Sequence, residues 1–410
     1  MSQNVLVINQ YYAPDVASSG QLLADLCEGL VLQSHSISVV CAQPSYEMDS
    51  SDVSLREQLG GVDVYRTPMG IFRGRSNFIL RVIGYLMFLM QAWFKASSLS
   101  RREKFDVVIT LSNPPFVGVV GALISKFYGI KYLAVVYDIH PDVVQATRWI
   151  KLPDLVFSLW NQVAKWSLGH SAKVVVLGEG MKETLVNTKD VKPENVRVIP
   201  VWARPEFPET LEQIQYENEL DIRTCFNIDP EEFIVLFAGN IGIMQPVDDL
   251  LGAAQKCAEE PVKFIFLGGG VGFEDLRDKT QNLKLNNVLL LRYQPQDVFE
   301  GILKESDLCV VTLAKGMEKY SVPSRAFTFM SAGKPIIAAM VDNSDIGSII
   351  RENDCGWISN SSSGIADVIL GCINCNDIVL SKGKNAHNYY HRELSKDKGI
   401  DKFSKLITEM

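Results

Sequence analysis

The sequence predicts two doubly wound α/β domains, each a parallel sheet covered by helices on both faces. Three observations carry this. Short apolar runs alternate with helix-like segments along the chain. The alternation stops at a polar, proline-bearing stretch, residues 203–218, and then restarts. The length, 410 residues, exceeds what one hydrophobic core usually serves, about 250–300 residues.

In the first half, strands are expected at residues 5–9, 37–41, 107–111, 132–137, 174–177 and 196–200, with a helix over 20–33. In the second, they are expected at 234–238, 263–267, 288–291, 308–312 and 335–339. Strand–helix–strand punctuation of this kind gives parallel pairing buried on both faces. Ligands then sit at the carboxyl ends of the strands, and two such domains place a central cleft between them. Residues 385–410 read as helical and charged.

Composition excludes several functions. The net charge of −8 argues against nucleic acid as a partner. The opening MSQNVLVINQ enters an apolar strand with no targeting pattern, and eight scattered cysteines suit free thiols in a reducing cytosol. Cys372 and Cys375 form one C-x-x-C with no second pair, which reads as neither zinc site nor redox motif. No apolar run reaches the ~20 residues of a membrane span. One segment departs from the acidic average. Between Arg66 and Lys104 lie Arg66, Arg73, Arg75, Arg81, Lys95, Arg101, Arg102 and Lys104 against one acid, Glu103, around an apolar centre, residues 82–94. Basic flanks on an apolar helix suit the plane of an anionic membrane, and equally a core helix with solvated ends.

The stretch SVPSRAFTFMSAGKPIIAA, residues 321–339, holds a short helix opened by Pro323 and Ser324 and closed by Gly333, feeding a strand. Arg325 stands in its first turn. A free helix N-terminus beside a guanidinium fork is a phosphate grip, or else an ordinary capped helix with a solvated arginine. The strand at 234–238 ends in GNIG, residues 239–242, where glycines let backbone approach a ligand. LGGGVG at 267–272 does not match a dinucleotide fingerprint, and no phosphate-binding P-loop pattern occurs. In the first half, the strand at 132–137 runs into Asp138, His140 and Asp142. These are groups for proton transfer or orientation, or a polar loop whose Asp142 caps the next helix. Ser18, Ser19 and Gly20 follow the first strand and either face the cleft or cap the helix. Asp248 and Asp249 read as a helix start rather than a metal pair.

Taken in order, these pieces resemble the family 4 glycosyltransferases of the GT-B fold, in the branch of bacterial capsule, O-antigen and exopolysaccharide assembly. NQYYAPDVASSGQLLADL, VITLSNPPFVGVVGALI, VVYDIHPD, VRVIPVWARPEF, FAGNIGIMQPVDDLLGAA, NVLLLRYQPQDVFEGILKESDLCVVTL and VPSRAFTFMSAGKPIIA carry the likeness along nearly the whole chain. The resemblance implies two Rossmann-like domains, 1–203 on the acceptor side and 204–385 on the nucleotide-sugar side. A final helix, 386–410, would pack back on the first domain. It implies transfer of a sugar from a nucleotide donor, UDP-linked, with retention and without a metal or other cofactor. The acceptor would be a glycan, a lipid-linked saccharide or a small molecule, handled in the cytoplasm at the inner membrane face. Arg325, the helix start at Ser324 and the N–H groups of Asn240 and Ile241 would hold the diphosphate. Gly239 and Gly242 would shape that turn. Ser19 and Gly20 would close over it, Tyr293 would take the base, and Asp138 and His140 would face the acceptor or the reacting sugar. Two departures stand out. Asn240 and Gln245 replace an arginine and a lysine common in the family. Tyr320 and Thr328 replace a Glu-x7-Glu pair whose second member holds the donor ribose. Thr328 would hydrogen-bond that ribose as a neutral group, with Glu318 near the lost first glutamate. The departures leave room for a non-catalytic sugar-nucleotide-binding partner or a GT-B epimerase.

Overall fold

The first strand forms on a short apolar run: NVLVI is β1 (Asn4–Ile8), with Val5 to Ile8 fully buried. A computed structural model describes residues 2–15, 17–44, 53–68, 78–147, 153–210 and 221–410, without the side chains of Phe78, Ile79 and Arg81. The chain divides into two compact units.

The first unit takes residues 1–200, Lys319–Ser321 and Lys396–Met410. After β1 come α1 (Ser18–Leu32), β2 (Ser36–Ala42), β3 (Arg56–Leu59), β4 (Val62–Thr67), α2 (Phe78–Arg102), β5 (Val107–Thr110) and α3 (Val117–Tyr128). Then follow β6 (Lys131–Val136), α4 (Asp142–Thr147), α5 (Asp154–Gly169), β7 (Lys173–Val176), α6 (Glu179–Lys189) and β8 (Val196–Val198). The sheet order is β3-β4-β2-β1-β5-β6-β7-β8, parallel except for β3 against β4. That hairpin went unforeseen because REQL is polar. Its signal was the turn Gly60–Gly61, where both φ angles are positive, 55° and 80°, as a two-residue hairpin demands.

The second unit takes Val201–Glu318 and Val322–Ser395. Its elements are α7 (Ile222–Cys225), β9 (Phe233–Asn240), α8 (Asp248–Lys256), β10 (Val262–Gly269), α9 (Phe273–Asn282), β11 (Val288–Leu291) and α10 (Gln296–Glu305). They continue with β12 (Leu308–Thr312), α11 (Arg325–Ser331), β13 (Ile336–Ala339), α12 (Asp345–Asn353), β14 (Gly356–Ile358), α13 (Ser362–Ile373) and α14 (Asn376–Tyr389). All six strands are parallel in the order β11-β10-β9-β12-β13-β14. Phe237, Phe264, Phe266 and Val310 fill one side of this sheet.

The last helix, α15 (Lys396–Glu409), belongs to the first unit and lies on α1. Contact is close enough that a Cβ on Gly29 would collide with Ile400. His35 Nε2 meets Ser404 Oγ at 2.8 Å, and Lys396 pairs with Asp25 at 3.3 Å. The sequence placed the start of this segment at 386; the structure places it ten residues later. Through Tyr390 the chain is still anchored in the second unit, since the Tyr390 hydroxyl accepts from the Ala203 N–H at 2.9 Å and donates to Glu206 at 2.8 Å.

Tyr390 is one stitch of a buried polar seam that fixes residues 203–209 along α11 and α14. The two ring nitrogens of His387 face the carbonyl oxygens of Ser331 and Glu209, each at 2.8 Å. Phe207 N–H donates to Ser331 Oγ at 2.8 Å. His391 packs on His387, with ring centroids 4.4 Å apart, and its Nε2 is buried without a partner. Burial, reinforced by the His387 charge, pulls the His391 pKa down from 6.5 to about 4. The folded state therefore favours neutral His391, whose contribution is complete above pH 6.5 and lost as the pH falls towards 4. Urea denaturation at pH 7 and pH 4 should show the wild type losing about 2 kcal/mol more than His391→Gln across that interval, after allowance for partial solvent screening. Equal losses would remove His391 as the source.

Candidate functional site

In the second unit, β9 and β10 end side by side in two glycine turns. Their pairing continues through Gly239 opposite Gly268 and Asn240 opposite Gly269. Gly268 has φ 149°, and a Cβ there would strike the Gly239 carbonyl. Gly270 has φ 118° and is closed in by Asn240 and the Ile241 carbonyl. The LGGGVG run is thus the support on which GNIG is folded. The same contact corrects one expectation. Ile241 N–H donates to the Gly269 carbonyl at 2.7 Å, and Gly242 N–H to the Gln245 carbonyl at 3.3 Å, so neither points freely at a ligand. Ile241 is a core residue, 2% exposed. The Gln245 amide oxygen fills the space beside Gly239 that a side chain would need. Tyr293 is exposed and lays its ring against Gly269. Asp248 and Asp249 occupy the first turn of α8, with Asp248 paired to Lys279 at 2.6 Å.

Arg325 opens α11, a helix of seven residues whose Ala326 to Ser331 are all buried. Its guanidinium lies over the Phe299 ring, 4.9 Å from the centroid. Among the described residues no carboxylate pairs with it. Burial lowers its pKa, offset in part by Tyr293. A half-buried cation with no counter-charge among the described residues is costly unless an anion arrives. Ser324 precedes it with helical backbone angles and makes no side-chain cap, contrary to the capping role expected. Thr328 is corrected more sharply. It is 3% exposed, and its hydroxyl reaches the Arg204 carbonyl at 3.4 Å, so it belongs to the seam under residues 203–209 rather than to a ribose site. Glu318 accepts its own loop's Gly316 N–H at 2.7 Å.

In the first unit, β6 delivers Asp138 and His140 to one loop. Ser112 Oγ accepts the N–H groups of Tyr137 and Asp138 at 3.0 and 3.2 Å. Ile139 N–H donates to the carbonyl of Tyr320, a residue of this unit. Burial pushes the Asp138 carboxyl up, against the pull of His140 and a bond from Ser321. Burial likewise pushes His140 down, which favours the neutral imidazole. That ring stacks on Trp160 at 5.8 Å and 14°, and its Nδ1 is buried without a partner. Asp142 is drawn away: it pairs with buried Lys189 and starts α4. Ser18 and Ser19 form the first turn of α1 without capping it. Gly20 packs against the Tyr11 backbone, where a Cβ would stand 3.1 Å away.

The basic segment is smaller than its sequence suggested. Arg66 is 3% exposed and binds Glu57 through Nε at 2.9 Å, because it lies on β4 rather than at the surface. Lys95 sits over the Tyr65 ring at 4.7 Å. Arg73 and Arg75 lie outside the described residues, as does the Arg81 side chain. Arg101, Arg102 and Lys104 are exposed at the end of α2. Among the described residues no single helix is long and apolar enough to cross a membrane.

Two family models account for most of the chain. Residues 19–202 match the glycosyl transferase 4-like domain, and residues 219–388 match the glycosyl transferases group 1. The chain belongs to the family 4-type glycosyltransferases. Among its relatives this glycosyltransferase is 26% identical over 266 residues to the probable glycosyltransferase WbjE of Pseudomonas aeruginosa, covering 64% of each chain. It is 22% identical to the putative colanic acid biosynthesis glycosyl transferase WcaI of Escherichia coli K12, covering 97% of this chain and 98% of that one. Solved structures agree on the GT-B fold. Sucrose-phosphate synthase from Thermosynechococcus elongatus superposes with TM-score 0.77 at 16% identity, over 99% of this chain and 98% of that one. Anabaena HepE in complex with UDP and glucose superposes with TM-score 0.72 at 15% identity, over 100% of both.

The glycine turns of this glycosyltransferase make a direct test. Gly268→Ala should lose about 2–3 kcal/mol in urea denaturation, since both its φ and the Gly239 carbonyl forbid a side chain. Gly242→Ala, whose nearest contact would be Val271 at 3.4 Å, should lose less than about 1 kcal/mol.

Proposed function

We propose that this enzyme moves a sugar from a nucleotide-sugar donor, UDP-linked, to a glycan, lipid-linked or small-molecule acceptor, with retention at the anomeric carbon and without a metal ion. Arg325 carries the reading. It is a half-buried cation over Phe299 with no acid paired to it among the described residues, and a departing nucleoside diphosphate is the anion it fits. The donor belongs to the second unit, with exposed Tyr293 as a platform for the base beside the GNIG turn. Asn240 and Gln245 are uncharged, so Arg325 holds more of the diphosphate charge than a turn carrying an arginine and a lysine would require. The acceptor belongs to the first unit, at Asp138 and neutral His140. Work at the inner membrane face of the cytoplasm fits the exposed Arg101, Arg102 and Lys104 at the end of α2.

With metal chelated, sugar-nucleotide turnover by Arg325→Ala should fall roughly 10²–10³-fold against wild type, in a panel of donors first ranked by thermal shift. Equal rates would exclude the role of Arg325. Thr328 is buried, Tyr320 lies in the first unit, and neither supplies a carboxylate; this favours, as a second reading, a partner that binds sugar nucleotides without transfer. Donor stabilisation without turnover across a wide acceptor panel would select it. Retention on anionic liposomes at low salt should drop several-fold in Arg101→Glu/Arg102→Glu; wild type that is never retained would remove the membrane.

A further inference from the structure

Helix α5 is apolar in sequence, DLVFSLWNQVAKWSLG, yet Ser167 is its one buried residue. Leu155, Val156, Leu159, Val163 and Trp166 are all exposed. It belongs to a layer in which α3 lies between α2 and α5, and twelve of the twenty exposed large apolar side chains of the described residues sit on that layer or at its edge. A chain of this size does not leave so much apolar surface on one layer without a use for it.

Between α3 and α5 runs a groove with about 80 Å³ of free volume, walled chiefly by Pro115, Phe116, Val117, Trp160, Val163 and Ala164. Phe116 is held at φ 74°, a left-handed conformation that a bulky side chain rarely adopts, and it stacks on Trp160 at 5.0 Å. The polar groups of the lining are mostly satisfied. Thr110 bonds Tyr132 at 2.8 Å, Ser112 accepts two backbone N–H groups, and Asp138 is bonded by Ser321. His140 Nδ1 is the buried polar atom of this lining left without a partner. The groove therefore offers hydrocarbon walls and one unsatisfied imidazole nitrogen.

We infer that the α3–α5 groove holds the hydrocarbon chain of an amphiphilic acceptor, with His140 Nδ1 meeting the first polar atom of its head. The inference rests on the transferase reading and names the acceptor class for it. Apolar walls continuous with the exposed face of α5 suit a chain, and the basic end of α2 on the same layer suits an anionic head or its membrane. A neutral imidazole bonds either a hydroxyl or a phosphoryl oxygen at that position.

Binding of butyl, octyl and dodecyl phosphate to the full chain, each below its micelle concentration, tests this by titration calorimetry. Affinity should rise roughly fourfold per methylene until the groove is filled. Val163→Asp, at a half-exposed position, and Trp160→Ala should each weaken octyl phosphate at least tenfold, while Leu32→Asp, on exposed α1 surface, should not. His140→Ala should weaken octyl phosphate and octane-1,2-diol alike, each roughly fivefold, with the dependence on chain length kept. UDP binding by Val163→Asp and Trp160→Ala should stay unchanged. No dependence on chain length, or equal binding by Val163→Asp, overturns the inference. Loss of vesicle retention in Val163→Asp without chain-length dependence assigns the α5 face to the bilayer and also overturns it. Chain-length-dependent binding in an enzyme whose turnover ignores Arg325→Ala would uphold the groove and sink the donor-site reading instead.

Discussion

A parallel strand can be followed by its neighbour only after a crossover, and the crossover must bury its own apolar face on the sheet. That constraint leaves a sheet core with almost no room for polar groups. The central strands are largely apolar and turn polar where they stop: β6 into Asp138 and His140, β9 into Asn240. Polar side chains gather at the carboxyl ends because the covered faces cannot hold them.

Within that frame the two units solve different problems. The second unit brings two glycine turns into backbone contact and leaves Arg325 on an aromatic ring instead of beside an acid. An acid there would have made the resting state less costly and the proposed anion site weaker, since a paired guanidinium has to be released before it can bind. The first unit desolvates an Asp–His pair until burial favours neutral forms of both, beside an aromatic wall. On the proposed reading, one unit receives charge and the other receives hydroxyls and hydrocarbon.

Strand positions were legible because β1, β9 and β12 are unbroken apolar runs, and the family was legible in the order of its pieces. Arg325, Asp138 and His140, the residues on which the proposed site rests, stood out in the sequence by residue type. The site was not legible where partners come from distant sequence. Nothing near Thr328 announces that Arg204, 124 residues earlier, takes its hydroxyl. Nothing near Ile241 shows that Gly269 takes its N–H. Arg66 looked like a surface cation because charge was counted along the chain, while its position on β4 turns it inward to Glu57. The groove beside α5 depends on α3 and β6 together, partners that the α5 segment alone does not announce.

The first unit is built from both ends of the chain: α15 covers α1, with Ile400 pressed on Gly29. During synthesis α1 leaves the ribosome with that face bare, and it stays bare while some 370 residues, including the whole second unit, are made, a matter of tens of seconds at ordinary elongation rates. The second unit, by contrast, has all its strands and helices once residue 395 is out. The order of completion therefore inverts the order of translation: the unit that begins first is finished last.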